Sequence, residues 1–197
     1  MTDLTPYLPE NSAEYIQKLI AADPIDIYVV KARKSKHGDF RIDRSNRVKI
    51  TMNDNLNPYR FLITLVHEIA HFRAYRKFGL KIAPHGLEWK VSFQRLMLPL
   101  LNPNVFPENL LTLLALYLKN PKSSSDGDVN LTKVLLSYDS FSPEFRLYDC
   151  KDGDLFSFEN KTFKRLNKRR TRILTERISD GRKYVFNPNV AVEPIKL

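Results

Sequence analysis

The chain has 197 residues and a mass of 23.0 kDa, enough for one core-bearing domain and a small second module. Hydrophobic residues at 43% and charged residues at 27% exclude global disorder, and a single cysteine, Cys150, excludes a disulfide framework or a four-cysteine zinc ribbon built by this chain alone. The 32 basic against 22 acidic residues give a net charge of +10. Clustered positive charge points to a polyanion partner, most often nucleic acid, or to a solvated basic face. No apolar run is long enough to cross a bilayer, and the first fifteen residues lack the basic and apolar regions of an export signal, so the expected location is cytoplasmic and no membrane partner is expected.

In chain order, residues 10–22 read as a helix, with Ser12 as N-cap and Tyr15, Ile16, Leu19 and Ile20 on one face. Three β-like runs follow at 25–32, 37–42 and 48–52, with turns at Gly38 and at residues 44–46. Eight basic residues fall between Lys31 and Lys49, against Asp39 and Asp43. The clearest helix lies between Asn57, a cap followed by Pro58, and Gly79, a helix end. Leu62, Leu65, Val66, Ile69 and Phe72 form its apolar stripe. A loop over 80–86 leads to a helix from Leu87 to Leu98 that Pro99 and Pro103 close, and Glu108–Lys119 is helical again.

The composition then changes to NPKSSSDGDVN, a linker by every local signal. Beyond it, β-rich runs at 155–158, 162–166, 171–178 and 182–186 surround a hairpin turn at 179–181. The expected organisation is an α+β core over 1–120, a linker over 121–130 and a small basic β-rich module over 131–197.

The chemistry sits on the central helix, where residues 67–71 read His-Glu-Ile-Ala-His. Helical spacing puts His67 and His71 one turn apart on one side, where both imidazoles can reach one ion. Glu68 is turned away by about 100°, beside the metal and able to take a proton from water. Random order of this composition would give roughly 0.004 such patterns per chain, which disfavours two histidines that merely solvate a helix.

A catalytic zinc takes three protein ligands and leaves one position open. The extended pattern with a third histidine six residues after the second fails, because Lys77 stands there. His85, at the mouth of the next helix, is preferred, with Glu88 as the competitor. Tyr75, Arg73 and Arg76 are candidates to stabilise an oxyanion, and the sequence does not select among them. Trp89 is expected to pack the second helix against the site, and His37 reads as an exposed turn histidine.

The segments KARKSKHGDFRI, VKITMN, LVHEIAHFRAY and PHGLEWK resemble the SprT-like metalloproteases, which are related to Spartan and to the yeast weak-suppressor protease. The resemblance covers residues 10–118. It implies a zincin-like core with a short antiparallel sheet, Zn2+ held by His67, His71 and His85, and Glu68 as general base. It also implies protein substrates, often proteins attached to DNA, the setting of DNA–protein crosslink repair. Many members carry a C-terminal Cys-rich ribbon that this chain lacks. The expected function is therefore a zinc metalloendopeptidase, with a nucleic-acid-binding or regulatory protein holding a structural or weakly active zinc as the alternative.

The tail supplies the nucleic-acid candidates. Lys161, Lys164, Arg165, Lys168, Arg169, Arg170 and Arg172 form a run without an acid, beside Phe156, Phe158, Phe163, Tyr184 and Phe186. Cations alternating with aromatics on a small sheet can track phosphates and stack bases, whereas period-two alternation assigns most of the aromatics to the module's own core.

Overall fold

The computed structural model describes residues 2–23, 25–33, 35–43, 45, 47–79, 81–140 and 145–195. Of the residues read above, Lys34, Arg44, Asn46 and Leu80 therefore lie outside the described residues. The protein is mixed α+β, and it divides into two compact units, Met1–Asp139 and Ser140–Leu197.

The first unit begins with helix α1, Ala13–Ala21, which buries Ile16, Leu19 and Ile20. Ser12 precedes it but does not cap it as expected, because its hydroxyl donates back to Pro9 O at 2.7 Å. Strands β1, Ile25–Val30, β2, Gly38–Ile42, and β3, Val48–Asn53, form a sheet in the order β1-β3-β2. The expected antiparallel sheet is only half right. β2 pairs antiparallel with β3, but β1 runs parallel to β3. Alternation in sequence fixes which side chains turn inward, here Ile25 and Ile27 of β1 and Val48, Ile50 and Met52 of β3, but it carries no strand direction.

Helix α2, Pro58–Phe78, packs on this sheet. Asn57 caps it, accepting from Arg60 N at 3.0 Å, and Gly79 ends it with φ 74°, a conformation that favours glycine. Its first turns are buried nearly all round, Phe61 and Ile63 as well as the expected stripe, as befits a central helix. Helix α3, Leu87–Met97, packs along α2 through Trp89, Phe93, Leu96 and Met97.

Helix α4, Glu108–Leu118, is followed by the segment expected as a linker. That segment belongs to the first unit, and so does a helix α5, Val129–Leu136, most of which falls within the range expected for the β module. Asp128 caps α5 by accepting from Leu131 N at 3.1 Å, and Leu131 and Leu135 enter the same core as α2. Polar composition sets the expectation, while two leucines one turn apart decide the packing. No helix among the described residues is long and apolar enough to cross a membrane.

The second unit is a five-stranded antiparallel sheet in the order β7-β6-β5-β4-β8. Its strands are β4 (Leu155–Phe158), β5 (Lys161–Arg169), β6 (Arg172–Arg177), β7 (Lys183–Phe186) and β8 (Glu193–Ile195). Gly181, with φ 67°, turns the chain between β6 and β7. Leu147, Cys150, Phe156, Phe163, Ile173 and Val192 make a core separate from that of the first unit, with Phe158, Tyr184 and Phe186 packed against it.

Candidate metal centre

Helical geometry brings His67 and His71 to one side of α2, and the loop before α3 brings His85 to them. The Nε2 atoms stand 3.1 Å apart for His67 and His85, 3.1 Å for His71 and His67, and 2.9 Å for His71 and His85. His85 takes a left-handed backbone conformation, φ 58°, which is costly for a residue with a β-carbon unless its surroundings impose it. The turn is closed by Gly86 N donating to Ala83 O at 2.9 Å. Glu88, the competing ligand, is not part of this group. It lines a groove with Asp23 and Arg95 instead.

Three nitrogens in mutual contact cannot satisfy one another. Each Nε2 either carries a hydrogen or does not, so in a ring of three at least one pair is alike, two donors or two lone pairs. A cation among three lone pairs removes that conflict. Ligand bonds of about 2.0–2.1 Å suit nitrogens at this spacing, so the three histidines could hold a metal ion. Burial, together with the crowding of neighbouring imidazoles, pulls His67 down to about 2 and His71 to about 4, and burial lowers His85. All three are therefore neutral near pH 7, the form that binds a metal.

Aromatic rings hold the group in place. Trp89 lies with its ring centroid 4.6 Å from His67, 5.4 Å from His71 and 4.8 Å from His85, and stacks on Phe93 at 5.1 Å. Its indole N–H donates to His67 O at 3.3 Å. The packing role read for Trp89 is thus what the geometry gives. Phe40 of β2 also stacks on His71, at 6.3 Å.

Glu68 is only 8% exposed. Burial, reinforced by the Asp39 charge, pushes its carboxyl up to about 7, while the facing Phe40 backbone amide favours the charged form. Strand β2 can lie this close to α2 because residue 38 is glycine. A β-carbon there would stand 2.8 Å from Thr64 Cγ2 and 3.1 Å from Glu68 Oε1. Of the three oxyanion candidates, both arginines are drawn to Asp23, Arg73 Nε at 2.9 Å and Arg76 Nη1 at 2.8 Å, whereas Tyr75 packs against Phe40.

Two residues without a role in the sequence reading lie close by. His37 is half-buried rather than an exposed turn residue, and its Nε2 meets Asp126 Oδ2 at 2.7 Å. Asp126, in the segment expected as a linker, also accepts from Arg60 Nη1 at 2.6 Å. No local signal could have found these contacts, because they join residues far apart in the chain.

The seven nucleic-acid candidates of the second unit do not form one patch. Register places Lys164 opposite Glu176 and Arg169 opposite Arg172, so Lys164, Arg169 and Arg172 share one face of the sheet. A bulge between Arg165 and Asn167 leaves Arg165 and Lys168 on the other face, with Phe163 and Ile173. Lys161 is on that face too, opposite Phe158. Arg165 is held near Asp152 at 3.4 Å, and Arg170 sits in the turn with φ 48°. Phe156 and Phe163 are buried, so they are core residues rather than base-stacking platforms.

No protein-family model matches this sequence, and no curated protein matches it.

Proposed function

We propose that the protein is a zinc-dependent endopeptidase of SprT-like type with a zincin-like core. One observation carries the reading: the Nε2 atoms of three imidazoles, two from α2 and one from the loop before α3, meet within 3.1 Å of one another, beside the buried carboxyl of Glu68. His67, His71 and His85 would hold the ion, and a three-histidine set with room for a fourth ligand suits catalytic zinc. Zinc held there would polarise a peptide carbonyl and bring the pKa of water from 15.7 down toward about 7.

The remaining work falls to the chain's own groups. Glu68 is buried in the turn of helix that carries the first histidine and is held by the Phe40 amide, where its carboxylate can act as a proton acceptor. Glu68 can take the proton of the attacking water and return it to the leaving amine. The Phe40 amide orients that carboxyl, and Trp89 braces the three imidazoles. Proteins are the substrate class, and proteins attached to DNA are the class that the SprT-like resemblance suggests. Lys164, Arg169 and Arg172 are the residues we assign to a nucleic-acid contact, since all three are exposed and share one face of the sheet.

The test is Glu68→Gln beside the parent, both reloaded with zinc. The expected result is about one zinc per chain in each and proteolysis in the parent alone. A parent that takes up no zinc, or a Glu68→Gln protein that digests as the parent does, would overturn the reading.

A further inference from the structure

Residues 121–128 are pinned onto the first unit at several points. Tyr117 donates from its hydroxyl to Lys122 O at 2.9 Å, and Thr132 Oγ1 donates to Ser125 O at 3.0 Å. Between these anchors Asp126 uses both carboxylate oxygens, Oδ1 toward Arg60 at 2.6 Å and Oδ2 toward His37 at 2.7 Å. The Arg60 side chain, 4% exposed, lies in the first turn of α2, and His37 stands immediately before β2. One carboxylate therefore ties the start of the metal-bearing helix, the start of the strand beside Glu68 and the segment that crosses them both.

This strap walls a cavity of about 250 Å³ whose lining includes His67 and Glu68. We propose that the cavity is a substrate subsite beside the reacting centre, taking one side chain that ends in a carboxamide, with His37 and Asp126 as positioning residues that hold its wall. The inference rests on the peptidase reading above.

Size, place and chemistry argue together. The volume falls below the about 300–1,000 Å³ of small-molecule sites and suits a single side chain. Glu68, the proposed proton carrier, forms part of the wall, so a side chain seated there belongs to a residue next to the bond being cut. The wall is rich in donors. Ser35, Thr64, Ser123 and Ser124 bring hydroxyls, and Lys36 brings an ammonium held toward the sheet by Asp39 at 2.8 Å. Asp126, which could have attracted a cation, already accepts from Arg60 and pairs with His37. Leucine in this space would strip water from the hydroxyls and return no hydrogen bond. A charged side chain fits less well: lysine would meet the Lys36 ammonium, and glutamate would meet the Glu68 and Asp126 carboxyls. Glutamine, which is uncharged, accepts from these donors and can donate its amide hydrogens to the acid side of the wall.

The experiment uses the full chain, zinc-loaded, and short alanine-rich peptides that differ at one position, glutamine, glutamate, leucine or lysine. Cleavage by the parent and fluorescence-anisotropy binding to Glu68→Gln are read in parallel. The glutamine peptide is expected to be cut and bound about tenfold better than the glutamate, leucine or lysine peptides, the worth of two ordinary hydrogen bonds. Thr64→Val and Ser123→Ala should narrow that ratio at unchanged zinc content. Asp126→Asn, which loosens the wall, should raise KM for the glutamine peptide more than it lowers kcat. Cleavage with no preference, or with preference for glutamate, leucine or lysine, would overturn the subsite and leave the peptidase reading standing. Selective binding without turnover in the parent would instead remove the peptidase reading.

Discussion

Gly38 and Glu68 touch across the gap between β2 and α2, and their closeness leaves no room for a methyl group. A β-carbon on residue 38 would approach Glu68 Cγ to 3.0 Å and Thr64 Cγ2 to 2.8 Å. Gly38→Ala must therefore push the strand off the helix or turn the Glu68 carboxyl away from the Phe40 amide. The expected loss of stability is about 1–3 kcal/mol, the usual penalty for overpacking. Zinc content should be largely kept, because His67, His71 and His85 lie outside β2, on α2 and in the loop before α3. Peptidase activity should fall far more than stability, and thermal melts beside zinc-loaded assays measure both.

The third ligand gives the sharpest contrast. His85→Ala should lose zinc, whereas Glu88→Ala should keep about one ion per chain because Glu88 faces the groove with Asp23 and Arg95. An ion held by the folded chain alone stabilises it, so a chelator should lower the zinc-loaded parent's melting temperature. The same chelator should leave His85→Ala nearly unmoved. Loss of zinc in Glu88→Ala alone would show that the ligand set is wrong.

Trp89 tests whether the aromatic bed matters to the metal. Truncation to alanine removes a fully buried ring that touches all three imidazoles and should destabilise the first unit by about 3–5 kcal/mol. Trp89→Phe keeps a ring but gives up the N–H to His67 O, which should weaken stability by only about 1 kcal/mol. Zinc affinity measured by competition with a coloured chelator should follow the same order, alanine far below phenylalanine.

Which parts of this are legible in the sequence follows from the range of each interaction. Helix α2 is legible because Asn57, Pro58 and Gly79 act on their own neighbours. The metal group is legible because the 67–71 spacing is itself a helical geometry, with only His85 arriving from elsewhere. Direction in the β1–β3 pair is not, since inward and outward alternation is the same for parallel and antiparallel strands. Strand β8 is hidden by Pro194 and its three-residue length. The segment 120–130 misleads for a physical reason. Its serines, glycine and proline lower local propensity for regular structure, while what fixes it is an ion pair from Asp126 to Arg60, 66 residues away.

That ion pair has a pH signature. Hydrogen bonding and charge from His37 and Arg60 outweigh the opposing burial and hold Asp126 down to about 2, against 3.8 for the free group. A carboxylate with a depressed folded-state pKa stabilises fully above its unfolded value and loses that contribution as acid protonates the folded form. Asp126 therefore supports the fold above about 3.8 and ceases to as pH falls through about 2. Asp126→Asn should lower stability at pH 7 and flatten the acid limb of stability between those two values. Urea melts across that range measure it. An acid limb identical to the parent's would show that the Arg60–Asp126–His37 network contributes nothing to folding.

The basic strand of the second unit makes a prediction that depends on sheet register. If the module contacts nucleic acid, the binding face is that of Lys164, Arg169 and Arg172, and not that of Arg165 and Lys168, which share the core-bearing face with Phe163. Removing one phosphate-binding cation should reduce the dependence of log affinity on log salt by about 0.7 for a single strand. Replacing the first three by alanine should thus reduce the slope by about 2, while Lys168→Ala should change it little. Arg165 is left out of the comparison because its position against Asp152 makes it part of the fold. Titration of a labelled oligonucleotide at several salt concentrations reads both slopes. An equal reduction per cation removed in the two variants would mean that net charge, rather than the sheet face, governs binding.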